Sequence, residues 1–229
     1  MLIWLIIGGF AIIGGLVSRR LKSKFAFYAQ VPMTQQMSGV EVAQRMMADF
    51  GISDVKIVQG KGFLSDHYNP ATKTVSLSPD VYQGRSVAAA AVAAHECGHV
   101  VQHAKGYSWL QFRSKMVPVV QLASRAQGLL MGIVVMGAFG GMGGGGDFLA
   151  LILLASVGLT TLFALVTLPV EFDASNRALT WLEKTGLTRG EKHEGAKDAL
   201  WWAAMTYVVS ALSSLTLFLY LLMSRQQRR

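Results

Sequence analysis

The sequence predicts an α+β membrane protein, in which about four transmembrane helices accompany a domain built from helices and a small sheet. Composition gives the first observation: 52% of the 229 residues are hydrophobic and 15% are charged, whereas soluble domains carry about 25% charged residues. The second observation is that long uncharged runs flank a polar stretch with helix-capping and strand patterns. This composition excludes an intrinsically disordered chain.

Cysteine content and net charge exclude further classes of protein. The single cysteine, Cys97, excludes an internal disulfide framework, cysteine-rich zinc fingers and ferredoxin-type clusters. The formal net charge is +8, and in a chain this apolar a basic excess is typical of membrane topology. We therefore expect the lipid bilayer as a partner and no nucleic acid.

Four segments are apolar enough to be predicted as transmembrane helices. Met1–Val17 has no charged residue, and basic residues follow it directly. This order is typical of an uncleaved anchor, since a secretory signal has its basic residues first. Val117–Met142 and Phe148–Val170 predict a transmembrane helical hairpin, and Ala203–Met223 predicts the last span.

These spans divide the chain into five predicted segments. They are an anchor in residues 1–17, a soluble domain in 18–116, the hairpin in 117–170, helices in 171–202, and a C-terminal transmembrane helix with a basic tail in 203–229. Positive charges are enriched in cytoplasmic segments. The basic cluster after the first span therefore favours a cytoplasmic soluble domain, although the same rule opposes this orientation at the basic tail.

The polar stretch Lys24–Lys115 predicts the compact part of the fold. Ser38 and Glu41 form a capping box that predicts a helix as far as Phe50. Ser86 is a good N-cap for a second helix over Val87–Ala104. The predicted strands are Val55–Val58, Gly62–Tyr68 and Lys73–Ser78.

The helix predicted after Ser86 contains an H-E-x-x-H motif, residues His95 to His99. Histidines four residues apart share one helix face, so both imidazoles can bind one metal ion. Glu96 follows the first histidine and can take a proton from a water molecule at such an ion. Gly98 costs a helix about 1 kcal/mol relative to alanine, and its presence predicts close approach by another backbone.

A catalytic zinc site needs a third protein ligand and an open position. His103 lies eight residues beyond His95, about 12 Å along a continuous helix, which is too far for a shared ion. Glu171 follows the third predicted span and can complete a two-histidine, one-glutamate site. Asp173 lies near the opposite helix face, where it can orient a ligand or pair with Arg177. Weaker candidates on the last helix are Glu191, His193, Glu194 and Asp198.

The motifs taken together resemble a known family, the YugP-like neutral zinc metallopeptidases of membranes. The resemblance covers nearly the whole chain and is carried, besides the anchor and the hairpin, by Asp66–Pro70, Ala93–His99, Val170–Ala178 and Ala203–Tyr207. That family is similar to the membrane gluzincins of the heat-shock and prenyl-protein peptidase type. The resemblance implies a zincin-like domain and a bacterial inner-membrane location.

The same resemblance implies the ligand set. In those gluzincins a glutamate in an E-x-x-x-D helix after the hairpin is the third zinc ligand, which implies zinc bound by His95, His99 and Glu171. The sequence departs from that pattern at one position. Ser175 stands where the aspartate is expected, so the role of that aspartate cannot be assigned to Asp173.

The predicted activity is zinc-dependent hydrolysis of peptide bonds by an endopeptidase. Glu96 is the predicted general base, and His67, Tyr68 and Arg177 are candidate donors to the oxyanion. The expected substrate is a polypeptide, chiefly a membrane or membrane-associated protein. The sequence is also compatible with an oligomer or a regulatory membrane partner.

Two other functions remain open from the sequence. One is a zinc-binding membrane scaffold with little or no catalysis. The other is an intramembrane protease of the site-2 type, with H-E-x-x-H inside a span. Against the second, the apolar run before His95 covers only Val87–Ala94, and the chain has no N-P-D-G or L-D-G motif.

Overall fold

The computed structural model describes residues 2–135 and 144–226, which are mostly helical with one small sheet. The helices are α1 (Leu2–Tyr28), α2 (Gly39–Asp49), α3 (Pro79–Tyr82), α4 (Val87–Ala104), α5 (Ser108–Val135), α6 (Gly144–Lys184) and α7 (Glu191–Gln226). The strands are β1 (Lys56–Gln59), β2 (His67–Asn69) and β3 (Thr74–Leu77).

The chain divides into two compact units, and each has its own composition. The first unit comprises Met1–Gly15, Phe112–Leu168 and Tyr207–Arg229, and the second comprises Leu16–Gln111 and Pro169–Thr206. The first unit therefore holds most of the apolar helical residues. The second holds the sheet and the H-E-x-x-H motif.

Three of the described helices, α1, α6 and α7, are long and apolar enough to cross a membrane. Large apolar side chains on them, such as Leu5, Ile12 and Leu212, are more than half exposed. Exposure of such an apolar surface to water is unfavourable in free energy, whereas the hydrocarbon interior of a bilayer accommodates it. These helices therefore have the surface expected of membrane spans.

The described residues contain three candidate spans rather than the predicted four. The missing one is Val117–Met142, whose described part lies in α5. Gln121, Arg125 and Gln127 lower the apolar character of that part, and residues 136–142 lie outside the described ranges. The predicted span Phe148–Val170 lies within α6, which continues to Lys184.

The sheet of the second unit has the strand order β1-β3-β2. β1 pairs with β3 in parallel, and β2 pairs with β3 in the antiparallel sense, with Tyr68 opposite Val75. Val75 and Leu77 of β3 are buried in a core that includes Met46 of α2. The central strand thus anchors the sheet to the helices.

The prediction of a strand over Gly62–Tyr68 is wrong for most of its length. β2 begins only at His67, because Leu64 has a φ of 53°, which is incompatible with an extended strand. The preceding residues form a turn instead. The chain turns after β2, and Asn69 closes this turn by accepting a hydrogen bond from the main-chain N–H of Ala71.

Helix α4 covers the predicted range, Val87–Ala104. The side-chain oxygen of Ser86 accepts a hydrogen bond from the main-chain N–H of Ala89 at 3.2 Å, which confirms the N-cap. The α2 capping box at Ser38 is also present. Cys97 is fully buried, and burial raises the pKa of its thiol.

Helices α4 and α6 approach each other closely at Gly98. A Cβ atom placed on Gly98 would lie 2.5 Å from the main-chain oxygen of Ala174. Ala174 and Ala178 on the facing side of α6 are small and fully buried. The predicted close approach of another backbone is therefore confirmed, and it depends on the absence of a side chain at Gly98.

We expect Gly98→Ala to destabilise the protein by about 1–3 kcal/mol, because the added methyl group overpacks the contact with Ala174. A glycine-to-alanine change elsewhere in a helix stabilises it by up to about 1 kcal/mol. Thermal unfolding of the purified, metal-free protein in detergent measures the effect.

Gly128→Ala in α5 is the matched control for this experiment. A Cβ at Gly128 would have nothing within 4 Å, so its apparent Tm should stay constant or rise. An apparent Tm for Gly98→Ala as high as that of the wild type would contradict the tight contact.

Candidate metal centre

Helix α4 presents two histidines on the side that packs against α6. His95 and His99 lie one turn apart, with ring centroids 4.8 Å apart and ring planes at 82°. Gly98, which contacts α6, lies beside them on the same side of the helix. His99 is buried and His95 is partly buried. The spacing of the motif therefore brings both imidazoles to the contact between the helices.

Helix α6 brings Glu171 to the same place. The Glu171 side chain is buried, and its Oε2 atom lies 3.3 Å from His95 Nε2 and 3.5 Å from His99 Nε2. One potential ligand atom from each of the three residues lies within 4.8 Å of the other two. Among residues 2–135 and 144–226, this is the one such group of three or more histidine, cysteine or acidic residues.

These three donor atoms fit a zinc ion. Zinc binds imidazole nitrogen and carboxylate oxygen at about 2.0–2.2 Å with tetrahedral angles, so two donors on one ion lie about 3.3–3.6 Å apart. Both distances from Glu171 to a histidine nitrogen match this separation. They are longer than the ~2.7–2.9 Å of a good charge-assisted hydrogen bond. The donor set is also one that catalytic zinc sites use.

Glu96 is buried beside this group, at 7% exposure. Burial raises the pKa of its carboxyl, and the negative charges of Glu171 and Asp66 act in the same direction. The two histidines of the motif oppose the shift. A carboxyl with a raised pKa holds a proton more readily than an ordinary carboxylate, which suits a group that accepts a proton and later returns it.

Ser175 contacts the first histidine of the motif. Its Oγ lies 3.0 Å from His95 Nδ1, and it is one helical turn after Glu171 in α6. Metal-binding histidines ordinarily use their second ring nitrogen for such a hydrogen bond. The hydroxyl of Ser175 therefore occupies the position that the E-x-x-x-D pattern gives to an aspartate.

Gln102 contacts the second histidine of the motif. Its Oε1 lies 3.0 Å from His99 Nδ1, and the Gln102 side chain is fully buried. Its Nε2 donates hydrogen bonds to the main-chain oxygen of Val170 and to Oδ2 of Asp173, each at 2.8 Å. Gln102 thus connects α4 to α6 beside the group of three.

Sequence reasoning missed both contacts to the histidines. The available signal was spacing, because Gln102 is seven residues after His95 and falls on the same face of α4. Ser175 was visible only as a departure from the E-x-x-x-D pattern. The hydrogen bond between Ser175 and His95 joins residues 80 positions apart, and such a contact has no local signature.

Asp173 pairs with Arg177 one turn later in α6. The Arg177 Nε atom lies 2.6 Å from Asp173 Oδ2, and its guanidinium lies 5.7 Å from the centroid of the Tyr107 ring. Asp173 therefore receives hydrogen bonds from both Arg177 and Gln102. It lies beside the group of three without belonging to it.

The other candidate residues make contacts of their own. His67 is exposed, and its Nδ1 lies 2.9 Å from the main-chain oxygen of Ser65. The hydroxyl of Tyr68 lies 2.7 Å from His103 Nδ1. His103 thus contacts the sheet and does not belong to the metal group, as its distance along α4 predicts.

Comparisons with known proteins identify the family of the chain. The profile of a family described as "Putative neutral zinc metallopeptidase" matches residues 3–226. A relative from Bacillus subtilis (strain 168), described as "Putative membrane protease YugP", is 39% identical over 197 residues, which cover 86% of this chain and 84% of the relative. No solved structure matches the chain. The described residues include three membrane-length helices, and the chain is a membrane protein that belongs to the family described as "Putative neutral zinc metallopeptidase".

Proposed function

We propose that the chain is a zinc metalloendopeptidase of the gluzincin type, which hydrolyses peptide bonds at a site next to the bilayer. The observation that carries the proposal is the convergence of His95, His99 and Glu171. The buried Glu96 beside them favours hydrolysis over a scaffold that only binds metal, because a scaffold has no use for a buried carboxyl there. Helix α4 is not among the membrane-length helices, which speaks against a site-2-type protease.

Each residue has a distinct role in this proposal. His95, His99 and Glu171 hold the zinc ion, which when bound supplies Lewis acidity toward the scissile carbonyl and toward water. Glu96 accepts a proton from the attacking water, whose oxygen bonds to the carbonyl carbon. As the C–N bond breaks, Glu96 returns that proton to the leaving amine nitrogen. The products are one carboxyl and one amine terminus.

The substrate is proposed to be a membrane or membrane-associated polypeptide. Glu171 follows directly on the long apolar run of α6, so the site belongs to a helix that is long enough to span a bilayer. We also propose that the site is on the cytoplasmic side of a bacterial inner membrane, because basic residues follow the first span.

We expect the purified protein to contain about one zinc ion per chain and Glu171→Ala to lose most of it, because two histidines alone are a weak zinc site. Mass spectrometry of metal content measures this. Glu183→Ala is the matched control, since Glu183 is an exposed carboxylate on the same helix. Equal zinc in the wild type and in Glu171→Ala would contradict the ligand assignment.

We expect Glu96→Gln to reduce peptide-bond cleavage at least about 100-fold while zinc stays bound, because the amide cannot accept a proton. Cleavage of an unfolded, fluorescently labelled protein in detergent gives the rate, and metal content is measured on the same samples. Cleavage at the wild-type rate in this variant would show that Glu96 is not the base.

We expect a cysteine introduced at Lys61 to react with a membrane-impermeant maleimide only after spheroplasts are lysed. Lys61 is exposed in the second unit, and the buried Cys97 gives little background. Gln226→Cys, at the other end of the third candidate span, should react in intact spheroplasts. The reverse pattern would place the site outside the cytoplasm.

A further inference from the structure

The side-chain amide of Gln102 can take only one orientation. Two of its neighbours, the main-chain oxygen of Val170 and the carboxylate of Asp173, only accept hydrogen bonds. The amide nitrogen must therefore point to them, at 2.8 Å each. The amide oxygen is left pointing to His99 Nδ1, at 3.0 Å.

This orientation determines where His99 carries its proton. An amide oxygen has no hydrogen to donate, so the hydrogen bond requires N–H at His99 Nδ1. In neutral His99 the other nitrogen, Nε2, then holds a lone pair. That nitrogen is the one 3.5 Å from Glu171 Oε2, and a lone pair facing a carboxylate oxygen is repelled unless a proton or a cation such as zinc lies between them.

His95 has a different kind of partner. A hydroxyl both donates and accepts, so Ser175 at 3.0 Å from His95 Nδ1 is compatible with either tautomer of that histidine. Gln102 is, moreover, held in place from α6. Asp173 accepts from its amide and is itself paired with Arg177 at 2.6 Å. Gln102 therefore fixes the tautomer of His99, whereas Ser175 leaves the tautomer of His95 open.

We propose that Gln102 is a positioning residue for the metal centre: it keeps His99 protonated at Nδ1 and so presents Nε2 to the metal. The Asp173–Arg177 pair holds Gln102 in that orientation. The proposal rests on the zinc site of the proposed function, but not on peptide-bond hydrolysis. It predicts that Gln102 affects zinc binding only when His99 is present.

The test is the zinc dissociation constant of Gln102→Met in three backgrounds, measured by competition with a chromophoric chelator in detergent. In the otherwise wild-type protein we expect zinc to bind about 10–100-fold more weakly. In the His95→Ala background the loss should be similar. In the His99→Ala background the substitution should change the constant less than about twofold, since the group it positions is gone.

Ser175→Ala is the matched control, because its effect on zinc binding should depend on His95. Its loss of zinc affinity should persist in the His99→Ala background and disappear in the His95→Ala background. Equal losses for Gln102→Met in both backgrounds would overturn the proposal, because they would assign Gln102 a role in the fold alone. A wild-type chain that binds no zinc would overturn the metal centre itself and this proposal with it.

A second pair of variants tests the orientation of Gln102 without an apolar replacement. Gln102→Glu keeps an acceptor for His99 Nδ1 but places a carboxylate oxygen against Asp173, so zinc should bind at least about 10-fold more weakly. Adding Asp173→Asn supplies an N–H donor at that contact and should recover part of the affinity. No recovery in the double variant would contradict the proposed hydrogen-bond chain.

Discussion

The whole candidate site depends on how closely α4 and α6 approach at Gly98. His95 and His99 lie on either side of Gly98 along α4, and Glu171 lies one turn before Ala174 on α6, so the separation of the two backbones sets the distances between ligand atoms. A metal site tolerates errors of only about 0.2 Å in those distances. A Cβ at Gly98 would lie 2.5 Å from the Ala174 oxygen, so the backbones are too close to admit a side chain at this position.

Close packing of two helices also buries polar groups, and these groups need partners. An unpaired buried polar group costs about 1–3 kcal/mol. The interface meets this requirement by pairing each histidine with an oxygen of a nearby side chain, Ser175 for His95 and Gln102 for His99. The hydrogen bonds of Ser175 and Gln102 therefore pair these buried groups and orient the rings at the same time. Stability and site geometry here have a common origin.

The sequence predicted what local patterns determine and missed what distant contacts determine. The bounds of α4, its Ser86 cap and the close approach at Gly98 follow from residues within one element. Glu171 was predicted as a ligand from its position after an apolar span and from the family resemblance. The hydrogen bond of Gln102 joins residues 71 positions apart, and the late start of β2 depends on the left-handed backbone of Leu64. Neither has a local signature in residue type or spacing.

Ser175 in place of an aspartate changes the electrostatics of the site. A carboxylate bonded directly to a metal-binding histidine raises the basicity of the ring, whereas a hydroxyl and an amide are neutral partners. Asp173 reaches His99 only through Gln102, and Arg177 offsets its charge. Glu171 is then the only anionic donor among the three ligand residues. A zinc ion held by two weakly polarised imidazoles and one carboxylate would keep more of its positive charge, and in the proposed function that charge would polarise a peptide carbonyl.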